Sequence, residues 1–217
     1  MKTLLVTNHR GKNDMKKLFI AAAMLIATPG LLQAQDFFFS FSDTSVVSEM
    51  NFAAGSTGTA FLFSGPALDF DNLDLILSSS DATNVELTAI NAPDDDPFNN
   101  FVGSVNSPGE IRFSGVTFFG NAVSPGDGVA GVGRLLASVD FNVTGSNTTT
   151  LDAVINPNTI LGVQDNVNGQ LFSSPPVAGE ALPVFAGVTI NPTVPEPASA
   201  MLLLLGSVGL VARRKRA

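Results

Sequence analysis

Leu135-Leu136-Ala137-Ser138-Val139-Asp140-Phe141-Asn142-Val143 is the stretch that decides the fold. Leu135, Ala137, Val139, Phe141 and Val143 fall on one face of an extended chain; Leu136, Ser138, Asp140 and Asn142 fall on the other. A period of two sustained this long describes a half-buried strand with one face on a core, and it makes Phe141 a core residue. A helix would scatter the same residues around its axis.

The same signal recurs on both sides. Phe37, Phe39 and Phe41 alternate with Phe38 and Ser40, and Thr59 to Phe63 forms a second run. Leu73, Leu75 and Leu77 share a face, Val85, Leu87 and Ala89 repeat the pattern, and Ile111 and Phe113 flank Arg112. Gly, Asn, Asp, Ser and Pro separate these runs, and none has helical periodicity. Short strands with frequent turn signals predict an all-β sandwich. About 160 residues, from Gln35 to Thr193, are enough for one domain with its own core.

That region is unusual in charge. It holds seventeen acidic residues against two basic ones, Arg112 and Arg134, a formal charge near −15, whereas the whole chain carries −8. Such a domain does not bind nucleic acid, whose phosphates need cations. The acidity also serves solubility. The region contains no His, Cys, Lys, Tyr or Trp; the one His is His9. Ser-His and Cys-His pairs, Schiff bases and zinc sites therefore lack their parts, and no disulfide staples the fold. Any catalysis would rest mainly on carboxylates, as in glycosidases.

Three carboxylate groups bear on metal binding. Asp69 and Asp71 flank Phe70 and share a face if extended, which makes them candidate calcium ligands. Asp94-Asp95-Asp96, between Pro93 and Pro97, reads as a solvated loop, because three successive side chains of an extended segment cannot converge on one ion. Asp165 to Gly169 lacks the Glu and spacing of a twelve-residue calcium loop and reads as a turn. No other cofactor is expected.

The two ends read as addresses. Met15-Lys16-Lys17 is a basic start, Leu18 to Ala27 an apolar segment, and Leu32-Gln33-Ala34 a small-residue cleavage site. Residues 15–34 are thus expected to form a signal peptide cleaved after Ala34. Residues 1–14 read as an extension upstream of the true start at Met15, or as a long leading segment. At the other end, 191–197 reads as a Pro-rich linker. Residues 198–212 form an apolar run expected to be a transmembrane helix, about 22 Å at ~1.5 Å per residue. Arg213, Arg214, Lys215 and Arg216 in the 213–217 tail would stop transfer on the cytoplasmic side.

Pro195-Glu196-Pro197, the apolar run and the basic stop together resemble the PEP-CTERM sorting signal of exopolysaccharide-making Gram-negative bacteria. The resemblance implies export, transient anchoring in the inner membrane, and processing near Pro195, Glu196 and Pro197 by exosortase. A second resemblance covers about Phe52 to Phe172. Gly55 to Phe63 with Leu73 to Leu77, Gly109 to Phe113, Gly131 to Val143 and Ile160 to Gly169 resemble successive strands of a cohesin domain. It implies a jelly-roll β-sandwich over 35–190 that binds dockerin modules or, in looser relatives, carbohydrate or cell-surface partners. The Phe37 to Phe41 strand and the Asp94 to Asp96 loop depart from that pattern.

These readings together give an exported, non-catalytic surface or exopolysaccharide-matrix protein with a protein or glycan ligand. The alternative is a carboxylate-only glycoside hydrolase acting on exopolysaccharide.

Overall fold

A computed structural model describes residues 36–193, apart from 67, 119–121, 125, 130–131, 159–162, 166–168 and 173–182. The expected signal peptide with Ala34, the Pro195-Glu196-Pro197 motif, the apolar run and the basic stop lie outside the described residues. Among those residues no helix is long and apolar enough to cross a membrane.

The domain is all-β, as the alternating sequence requires. One sheet, A, contains β1 (Phe37–Ser40), β3 (Thr57–Ser64), β5 (Val85–Asn91), β8 (Arg134–Val143) and β12 (Phe185–Ala186), in the order β12-β1-β3-β8-β5. The second, sheet B, contains β2 (Glu49–Ala53), β4 (Asn72–Ser79), β6 (Asn100–Ser107), β7 (Glu110–Val116), β9 (Thr149–Ile155), β10 (Val163–Asp165), β11 (Gly169–Phe172) and β13 (Val188–Thr193). Along one edge of β4 runs β7, itself paired with β6; along the other run β9 and then β10. The sheet continues from β9 through β13 to β2, and β11 closes a hairpin on β10.

The sheets face each other across a core with Phe37, Phe39, Leu62, Val139 and Phe141 on one side and Leu73, Leu75, Leu77, Ile111 and Phe113 on the other. The expected inward faces of β4 and β7 are found. Phe141 is fully buried, and its ring meets Phe52 and Phe41 edge to face at centroid distances of 5.2 and 6.3 Å. Gly58 makes room for it: a Cβ there would lie 2.5 Å from the Phe141 ring.

Two departures from alternation matter. In β8, Leu62 opposite Ala137 is followed by Phe63 opposite Leu135, which leaves Leu136 as a bulge. Leu136 therefore enters the inter-sheet core beside Ala137, and Leu135 turns outward; the sequence had placed Leu135 inward and Leu136 outward. In β5 the register shifts between Leu87 and Ala89. Ala89 then lies opposite the outward Asp140, and Ile90, not Ala89, packs on the core. A one-residue slip exchanges the faces.

The linker expected from 191 is also corrected. Asn191, Pro192 and Thr193 belong to β13, parallel to Asn51, Phe52 and Ala53 of β2. Pro192 lies past Ile190, the last residue paired with β9, so its missing N–H interrupts no bond to β9.

Candidate functional site

The outward turn of Leu135 starts the site. On the outer face of sheet A, Leu135 and Phe61 pack beside a second buried cluster of Phe38, Phe63 and Val132. Phe38 and Phe63, cross-strand neighbours, stack with centroids 5.3 Å apart. Val132 covers them from a tight loop. Its Gly133 has φ +100, and a Cβ there would lie 2.0 Å from the Ser64 carbonyl oxygen, so only glycine fits.

Phe61, Phe63, Leu135 and Ser138 form the floor of an open groove of about 560 Å³. Its walls are the loop of Asp43 and Thr44, the loop from Ala92 to Asp95, and the loop containing Val129. Val129 is about half exposed, with 48% of its surface open. The Asp94 to Asp96 segment is thus a groove wall. Asp96 Oδ1 accepts from the Phe98 amide at 2.9 Å, and Arg134 contacts Asp95 at its carboxylate and its carbonyl oxygen, both at 2.9 Å. Farther along the same face, Asp140 accepts from Thr59 Oγ1 at 2.7 Å and Asn91 Nδ2 at 3.0 Å, joining β3, β8 and β5.

The groove is negative. Asp43, Asp94 and Asp95 are exposed on its rim. Both arginines of the domain are engaged: Arg134 with Asp95, and Arg112 with Asp74 at 2.6 Å on sheet B. Asp74 is fully buried and also accepts from Asn156 Nδ2 at 3.1 Å. Hydrogen bonding and charge from Asp74 raise the pKa of Arg112 above its ordinary value. On the β4–β5 turn, Asp81 accepts from the Thr83 hydroxyl at 2.6 Å, the Thr83 amide at 3.0 Å and the Asn84 amide group. Those bonds, Thr83 first, hold its carboxyl below the ordinary carboxylate value. A general acid needs the opposite shift.

Phe70, between the candidate calcium ligands, is buried in the core and bridges Val123. Asp71 is fully buried and Asp69 partly exposed. Among the described residues no group of three or more His, Cys, Asp or Glu could hold a metal ion. Sequence reasoning missed the groove itself, because its floor depends on the bulge at Leu136. The two prolines around the Asp94 to Asp96 loop were the one signal that pointed to its wall.

Comparison with known proteins gives three results. The PEP-CTERM protein-sorting motif matches residues 193–216. No curated protein matches the chain. Among solved structures, the chain is similar to a non-cellulosomal cohesin from the hyperthermophilic archaeon Archaeoglobus fulgidus, with 15% identity, 77% of this chain and 96% of that one covered, and a TM-score of 0.47. It is also similar to the sixth cohesin of Acetivibrio cellulolyticus scaffoldin B, solved in complex with a Cel5 dockerin mutant (13% identity, 74% and 99% covered, TM-score 0.47). A cohesin module from a Clostridium perfringens family 33 glycoside hydrolase is a third, at 12% identity, 75% and 99% covered, and a TM-score of 0.45.

Proposed function

We propose that this chain is an exported, non-catalytic protein of the cell surface or extracellular matrix, processed by exosortase, whose sandwich binds a protein partner in the groove on sheet A. The sorting motif at 193–216 supports the route. The groove carries the binding reading: an apolar floor inside an acidic rim, in a domain whose two cations are already paired. A fitting partner brings apolar side chains to the partly exposed Phe61 and Leu135 and cations to Asp43 and Asp94. A protein is favoured over a glycan because sugar rings stack best on Trp and Tyr, and the domain has neither.

A carboxylate-only glycoside hydrolase is the second reading. It needs a facing pair of carboxyl groups, one held protonated. Asp140 and Asp74 are instead tied into hydrogen bonds that link strands, Asp140 with Thr59 and Asn91 and Asp74 with Arg112 and Asn156, which gives both carboxylates structural roles. That supports the binding reading over the catalytic one.

The test passes envelope and secreted fractions of the producing cells over the immobilised exported chain. Wild type is expected to retain a discrete protein. Phe61→Ser and Ser138→Arg should lose it, Val154→Asp on sheet B should keep it, and rising salt should weaken it. Retention unchanged by both groove variants, or retention of polysaccharide alone, overturns the reading.

A further inference from the structure

Among the described residues, β6 is the longest edge strand of the sandwich, eight residues against seven in β5 and five in β2. Among the described residues it pairs with β7 alone, and all of it except Phe101 is exposed to solvent. An unpaired edge presents a row of backbone donors and acceptors, and proteins usually blunt such edges with charge or proline. The sequence Asn100-Phe101-Val102-Gly103-Ser104-Val105-Asn106-Ser107 has neither, and the bulge at Asn106 lies near its end, which leaves Asn100 to Val105 in regular register. Val102 and Val105 remain 51% and 43% exposed.

The charge distribution selects the occupant. Two domains near −15 repel across most of their surfaces, and the β2 and β5 edges carry Glu49 and Glu86. The β6 strand itself carries no carboxylate; on the neighbouring strand Arg112, paired with Asp74, stands opposite Ser104, and Glu110 accepts from Asn106 near the strand end. It is therefore a long edge where a second copy meets less repulsion than at β2 or β5. About Gly103 the regular part of the strand places apolar Phe101 and Val105 at mirrored positions, with Val102 mirrored by Ser104. Gly103 points to the core side, where Ile90 sits against it, so nothing projects at the centre of such a pair.

We propose that β6 pairs antiparallel with β6 of a second copy of this chain, centred on Gly103, and extends sheet B across a two-fold axis. Opposed residues of an antiparallel pair point to the same face. Val102 then stands opposite Ser104 of the second copy on the outer face of sheet B. Because the surrounding domains repel, association strengthens as salt rises, opposite in sign to capture of a cationic partner by the groove.

The chain has no cysteine, so the pairing can be trapped cleanly. The full exported chain is prepared as Val102→Cys and as Ser104→Cys, with Val154→Cys on the sheet B face as control. Mild oxidation of the first two mixed should give a disulfide heterodimer many-fold faster than Ser104→Cys mixed with the control. Light scattering on the wild type should show dimer growing with concentration and salt. A wild type that stays monomeric throughout, or cross-linking no faster than in the control mixture, overturns the proposal. Unchanged thermal midpoints in the three variants confirm that the folded chain is being read.

Discussion

Leu136 and Ala137 are consecutive in β8, yet both side chains are buried in the same inter-sheet core. The bulge between them exchanges the faces of Leu135 and Leu136 and gives the outer groove part of its floor. Leu136→Ala should therefore cost about 2–5 kcal/mol, as in a buried core. Leu135→Ala should cost less, because Leu135 is only partly buried. Strict alternation requires the reverse order. In the same urea melts Phe141→Ala should cost about 3–5 kcal/mol, and Asn142→Ala should stay within about 0.5 kcal/mol.

Asp74 has no exposed surface, and Arg112 holds both of its oxygens. Arg112→Met leaves that carboxylate with Asn156 as its remaining described side-chain partner and should destabilise the domain by about 1–3 kcal/mol. The double variant with Asp74→Asn should recover part of that loss. Strictly additive effects in the double-mutant cycle would show that the pair does not couple.

The Asp81 turn sets a pH dependence. Its carboxyl is lowered below the ordinary value by the Thr83 bonds, then by those of Asn84. The unfolded state thus binds the proton more readily, so the stabilisation is complete above the unfolded value near 3.8 and fades as pH falls through the lower folded value. Asp81→Asn should flatten the acid limb of the stability curve and leave the neutral region's slope unchanged. An acid limb identical to wild type would rule out this contribution.

Diffuse repulsion among seventeen carboxylates predicts a melting midpoint that rises with sodium chloride, most of it by ~0.15 M, where screening acts over about 8 Å. Replacing sodium with calcium at constant ionic strength separates screening from a site. A further rise proportional to the logarithm of free calcium would point to bound ion, with Asp69 and Asp71 the first residues to change. A flat response leaves screening as the whole effect.

The sorting motif predicts a fractionation result. Changing Pro195, Glu196 and Pro197 to Ala should leave uncleaved chain in the membrane fraction. Release of the variant at wild-type size would remove the proposed role of these three residues. Because β13 is paired as far as Thr193, only Val194 separates the folded domain from Pro195.

The sequence by itself determined the class of the domain and its route. Period-two patterning in Leu73 to Leu77 and Val139 to Val143 is local physics, since a pleated strand with one wet face requires it. The sorting tail is legible for the same reason: its parts act as short linear elements. Only the tertiary structure decided which way Leu135, Leu136, Ala89 and Ile90 point, that Asn191 to Thr193 are strand, and that the Asp94 to Asp96 loop walls a groove. Each depends on pairing between distant segments, β8 with β3 and β5, β13 with β2, and Arg134 with Asp95. A bulge adds one residue to one strand relative to its partner, so it is a property of the pair and is invisible in either strand read alone.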